Sequence, residues 1–159
     1  MKFSDQLEKR FAELLTHYPI KRSALVPMLL YAQDEVGRVN DEVVHEIAQR
    51  LDLSDLEVRN VVSYYSMLHT RPIGKYNIQV CTNISCMLRG AEDIFDHIRK
   101  RLGIGNKQDT PDGQFHLEEV ECIGACCWAP AMQVNYEYHE QLTPGKVDEV
   151  IEELKKRDG

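Results

Sequence analysis

The sequence predicts an α+β fold in two parts: a bundle of helices over residues 1–72, then an α/β layered half in β-α-β-β-α order over residues 73–159. Three observations predict it. Apolar residues recur at helical spacing through the first 70 positions. After Arg71-Pro72-Ile73-Gly74 the pattern turns to alternation, which belongs to strands. All five cysteines lie between positions 81 and 127, inside the second part.

Phe3, Leu7, Phe11, Leu14 and Leu15 mark the first helix, and His17-Tyr18-Pro19 ends it because a residue before proline is pushed out of the helical region. Ser23 is placed to cap a second helix through Leu25, Met28, Leu29, Ala32 and Val36, with Gly37 to stop it. Asn40 or Asp41 caps a third through Val43, Val44, Ile47, Ala48 and Leu51. Ser54-Asp55-Leu56-Glu57 has the form of a capping box and opens a fourth, carrying Leu56, Val61, Val62 and Tyr65. Four helices with short connections predict a small bundle.

The boundary falls near residues 70–75. Beyond it, Tyr76, Ile78 and Val80 alternate with Asn77, Gln79 and Cys81, which predicts a strand ending at the first cysteine. A helix follows through Leu88, Ala91, Ile94, Phe95, Ile98 and Leu102, closed by Gly103. A polar loop containing Thr110-Pro111-Asp112-Gly113 leads to strands over 115–120 and 132–136. Thr143-Pro144 then starts a helix whose apolar face is Val147, Val150, Ile151 and Leu154.

Composition removes several function classes. With 19 basic against 26 acidic residues, a net charge of −7 argues against nucleic-acid or anionic-membrane binding, both of which need basic stripes. No run approaches the roughly 18 apolar residues of a spanning helix, so no direct membrane insertion is expected. The N-terminus carries no signal-peptide core, so the chain reads as cytoplasmic, where clustered cysteines are more often ligands or redox thiols than disulfides.

Cys81 and Cys86 bracket four residues, Cys122 and Cys126 bracket three, and each pair follows a predicted strand. Neighbouring strand ends would bring the two loops together at one sheet edge. Soft thiolates select zinc, copper(I) or iron–sulfur centres. Structural zinc sites favour knuckles with two intervening residues, which neither pair has. A thioredoxin-type dithiol wants one such pair. Buried unliganded thiols remain possible but do not predict confinement to two loops. A [2Fe–2S] cluster, taking two thiolates on each iron, fits the spacing best. Cys127 is the odd thiol, read as a non-ligand lining the pocket, and the small residues Gly124 and Ala125 suit backbone amides that point at sulfur.

The run Gly74-Lys75-Tyr76-Asn77-Ile78-Gln79-Val80-Cys81-Thr82-Asn83-Ile84-Ser85-Cys86 resembles the first cluster motif of the thioredoxin-like [2Fe–2S] subunit, the E-type subunit, of NADH–quinone oxidoreductase, respiratory complex I. Glu119-Val120-Glu121-Cys122-Ile123-Gly124-Ala125-Cys126 is similar to its second motif, followed by Ala129-Pro130. Ser23-Ala24-Leu25-Val26-Pro27 and Tyr64-Tyr65-Ser66-Met67 carry the likeness into the helical half. The resemblance implies a helical bundle joined to a thioredoxin-like ferredoxin domain, with one [2Fe–2S] cluster on Cys81, Cys86, Cys122 and Cys126. It implies a subunit of an oxidoreductase that accepts single electrons from reduced FMN on the NADH-binding flavoprotein (the F-type subunit), among other peripheral-arm subunits on the cytoplasmic face of a prokaryotic inner membrane. The chain itself has no Gly-x-Gly-x-x-Gly fingerprint, so NADH and FMN belong to the partner. Alternatives are the equivalent subunit of an NAD-linked hydrogenase or formate dehydrogenase, and a structural zinc adaptor. No catalytic residue is expected in this chain, and the helical half is expected to serve docking.

Other residues have blander readings. Glu118, Glu119 and Glu121 read as a solvated strand edge, Met28, Met67, Met87 and Met132 as core fillers, and the six histidines as structural or surface groups. Trp128 is placed equally well to shield the centre or to contact a partner.

Overall fold

The computed structural model describes residues 2–157 and divides the chain into two compact units, Met1–Pro72 and Ile73–Gly159. Each has its own hydrophobic core.

The first unit is helical: α1 (Asp5–Thr16), a 3-10 turn (Lys21–Ala24), α2 (Leu25–Val36), α3 (Asp41–Leu51) and α4 (Asp55–Tyr64). Caps set the starts. Ser4 accepts from the Leu7 amide, Asn40 from Val43, and Ser54 forms the full capping box with Glu57. Gly37 ends α2 with a left-handed φ of 81°. Ser23 does not cap α2, because it lies inside the 3-10 turn and Ala24 occupies the cap without a side-chain bond. On α4 the buried positions are Val58 and Val62, while Leu56 is exposed and Tyr65 lies just past the helix end. A buried glutamine closes the bundle: Gln33 donates to the Met67 carbonyl at 2.9 Å and accepts from the His69 amide at 2.6 Å, tying the segment after α4 to α2.

The second unit runs β1 (Tyr76–Cys81), α5 (Ile84–Leu88), α6 (Ala91–Leu102), β2 (Gln108–Asp109), β3 (Phe115–Val120), a 3-10 turn (Cys126–Trp128), β4 (Met132–Val134), β5 (Glu137–His139) and α7 (Pro144–Arg157). The sheet order is β2-β3-β1-β4-β5, with β1 and β3 parallel and the other pairs antiparallel. Ile78, Val80, Phe115, Leu117, Met132 and Val134 share a core with Ile94, Phe95 and Ile98 of α6 and Val147, Ile151 and Leu154 of α7. Gly74 leads into β1 against the backbone of β3, where an added Cβ would meet the Phe115 carbonyl carbon at 2.3 Å.

Three features depart from the sequence reading. The helix expected from Leu88 is two helices, broken at Gly90 with φ 87°, and Leu88 is 76% exposed. The expected polar loop contains the short β2, whose turn is built by Asp112, Gly113 and Thr110. The expected strand over 132–136 stops at Val134, because Asn135 and Tyr136 both have positive φ and turn the chain back into β5, the geometry of a two-residue hairpin. Asn135 also bonds across to β1: its side chain accepts from the Asn77 amide at 2.9 Å and donates to the Lys75 carbonyl at 2.8 Å, extending the ladder past the turn.

Candidate metal centre

The parallel pairing of β1 and β3 sets Cys81 opposite Val120, so the two cysteine loops leave the sheet side by side. Both strands end in the same register, and the loops that carry the thiols start there. Cys81 is the last residue of β1, and its amide donates to the Ala131 carbonyl at 3.2 Å. Asn83 caps α5 by accepting from the Ile84 amide at 2.7 Å, and that short helix carries Cys86 inward. Cys81 and Cys86 are 2% and 1% exposed and pack with Ala91, Ala129 and the half-buried Ile123.

The second pair stands differently. Cys122, Cys126 and Cys127 are all exposed. Gly124 has φ 82°, and its amide turns back to donate to Cys122 Sγ at 3.4 Å. The Tyr138 hydroxyl, from β5, donates to the Ile123 carbonyl at 2.7 Å. Across the loops, the Cys81 thiol reaches the Glu121 carbonyl at 3.9 Å. Cys126 and Cys127 line a groove of about 710 Å³ with Leu88, Arg89 and Trp128.

The electrostatics join three of the four predicted ligands. Burial pushes the Cys86 thiol up to about 11, the neighbouring Cys81 sulfur adds to the rise, and Cys126 adds to it less. A backbone N–H from Ala131 pulls the other way by favouring the thiolate. Cys122 is held by its own loop. Among the described residues no group of three or more His, Cys, Asp or Glu side chains is arranged to hold one metal ion. A [2Fe–2S] centre asks for a different arrangement, two thiolates on each of two irons. The donor set suits it: four soft sulfurs, two of them sealed from water, with backbone N–H groups directed at Cys86 and Cys122.

Several neighbours differ from expectation. Glu118 is not part of a solvated edge: it is 4% exposed and accepts from Gln79 Nε2 at 2.7 Å and Asn77 Nδ2 at 3.2 Å, because its strand position faces these amides rather than water. Glu119 and Glu121 are exposed. Met28 and Met132 are core, but Met67 and Met87 are exposed because they lie past α4 and on the outer side of α5. Trp128 is half exposed. His45, His97 and His116 face Asp55, Asp148 and Asp109. Sequence reasoning passed over Tyr138. Its only signal is Asn135, a residue suited to the hairpin turn, hidden because a tyrosine follows it where glycine is usual.

Comparison with known proteins shows the family. Over 87% of its length the chain is 42% identical to the E 2 subunit of NADH-quinone oxidoreductase from Rhizobium meliloti (strain 1021), covering 82% of that protein. It is 39% identical over 98% of its length to NADH-quinone oxidoreductase subunit 2 of Thermus thermophilus, covering 87% of it. Among solved structures, an NAD+-reducing [NiFe]-hydrogenase in its air-oxidized state matches 84% of this chain and 23% of its own, with a TM-score of 0.74 at 21% identity, a likeness of fold. The family model for thioredoxin-like [2Fe-2S] ferredoxins matches from residue 11 to residue 155, most of the helical unit included, and the chain belongs to that family.

Proposed function

We propose that this chain is the E-type electron-transfer subunit of a multi-subunit NADH–quinone oxidoreductase. Similarity to two such subunits along almost the whole chain carries the reading. In it, Cys81, Cys86, Cys122 and Cys126 hold one [2Fe–2S] cluster, and Cys127 is not a ligand. The cluster, when bound, supplies one-electron transfer. The chain supplies the rest: a dry seat for Cys81 and Cys86, amide donors at Cys86 and Cys122, and an exposed second loop through which an electron can enter. The donor is reduced FMN on the NADH-binding flavoprotein, the F-type subunit.

The chain sits with other peripheral-arm subunits on the cytoplasmic side of the membrane; among the described residues no helix is long and apolar enough to cross one. The helical unit serves docking, which its separate core supports. The hydrogenase likeness, being one of fold, does not favour the alternative host complex. The test is anaerobic co-purification with the flavoprotein. One [2Fe–2S] cluster per chain and a stable pair are expected. Colourless protein with stoichiometric zinc would overturn the reading. Removal of residues 1–70 is expected to weaken that pairing more than cluster assembly.

A further inference from the structure

The two amide donors of the centre are held in place by different means. Ala131 N–H, directed at Cys86, is locked beside β4, and the Ala131 carbonyl is itself bonded by the Cys81 amide. Gly124 N–H, directed at Cys122, lies in an exposed loop. That N–H belongs to the same peptide unit as the Ile123 carbonyl. The peptide is trans, since the one cis bond among the described residues is Ala129-Pro130. In a planar trans peptide the carbonyl and the N–H point in opposite directions. A group that holds the carbonyl therefore aims the N–H. Here that group is the Tyr138 hydroxyl, at 2.7 Å from the Ile123 oxygen. It reaches from β5, which the Asn135–Tyr136 turn lays antiparallel on β4, with Tyr138 opposite Gln133.

We propose that Tyr138 is a positioning residue for the redox centre: by holding the Ile123–Gly124 peptide it directs the Gly124 N–H at the Cys122 sulfur and raises the reduction potential. The inference rests on the reading of Cys122 as a ligand. An N–H pointed at a ligand sulfur stabilises the reduced, more negative cluster. A donor on the carbonyl end also polarises the peptide and strengthens its N–H as a donor. Tyr138 acts on the Cys122 sulfur through one peptide.

The test uses the full chain with its cluster. Tyr138→Phe keeps the ring and removes the donor. Iron and sulfide per chain should stay unchanged, the potential should move negative by a several-fold change in the reduction equilibrium, tenfold being about 59 mV for one electron, and the exchangeable-proton coupling of the reduced EPR signal should weaken. Tyr138→meta-fluorotyrosine strengthens the donor without removing it and should move the potential the other way. That variant decides the matter if Tyr138→Phe fails to hold a cluster. An unchanged potential in the fluorinated variant, or a shift of the same sign in both, would overturn the proposal. Cys122→Ser separates the two readings: a spectrum unaltered by it overturns the ligand assignment and the tuning with it, whereas an altered spectrum beside an unmoved Tyr138 potential overturns the tuning alone.

Discussion

The two cysteine loops leave neighbouring strands of one sheet, yet they are built on different principles. The first is part of the core. Cys81 closes β1, Cys86 rides a capped helical turn, and both sulfurs are sealed among Ala91, Ala129 and Ile123. The second is a surface loop with three exposed thiols, one left-handed glycine, and a tyrosine hydroxyl as its tether. A buried loop holds its shape through packing, which a single substitution disturbs throughout; a surface loop holds its shape through a few hydrogen bonds, each separable from the rest. A centre spanning both has one side protected from water and one side open to a partner.

The sharpest way to break this comparison is to replace the thiols one at a time. Cys81→Ser and Cys86→Ser should abolish stable cluster binding, Cys126→Ser should damage it, and Cys127→Ser should leave iron content and EPR signal as they are. Equal loss for Cys127→Ser would erase the distinction between ligand and bystander. The next largest effect is in labelling of the cluster-free chain. At pH 8 a thiol reagent should modify Cys122, Cys126 and Cys127 at least about tenfold faster than Cys86, which is buried and protonated. The Cys86 pKa is raised by burial to about 11, so the folded chain holds that proton more tightly than the unfolded one. Its contribution is complete below the ordinary value of 9.0 and is lost as pH climbs toward about 11. Peptide mapping by mass spectrometry reads the order directly.

Packing gives a smaller contrast. Ile78→Ala, in the sheet core on β1, the strand that ends in the first loop, should cost about 2–5 kcal/mol in urea unfolding. Ile123→Ala, half-buried in the second loop, should cost about 1 kcal/mol. Matching losses would mean that the second loop is as much core as the first. A loss of similar size belongs to Gly124→Ala. An added Cβ meets nothing within 4 Å, so the penalty is backbone strain at φ 82° alone, about 1–2 kcal/mol. A neutral result would show that the loop relaxes freely.

What could be read beforehand divides along the same line. The four ligand candidates, their place after two strands, the caps at Asn40 and Ser54, and the apolar faces of α6 and α7 are written locally: in the spacing of like residues and in side chains that bond amides two or three positions away. Misreadings came where a residue's setting depends on distant chain. Leu56, Leu88, Met67 and Met87 are apolar in type but exposed, because each lies at a helix end or outer face that no neighbouring element covers. Glu118 is charged in type but buried, because β1 places Asn77 and Gln79 beside it.

The sequence by itself determined the fold class and the thiol set, since periodicity and cysteine spacing need no knowledge of what packs against what. Only the tertiary structure decided which thiols are dry, that the strand after Pro130 folds back as a hairpin, and that Tyr138 reaches Ile123, fifteen residues earlier in the chain. Those depend on strand pairing, and a pairing partner is a property of the folded sheet that no local pattern encodes.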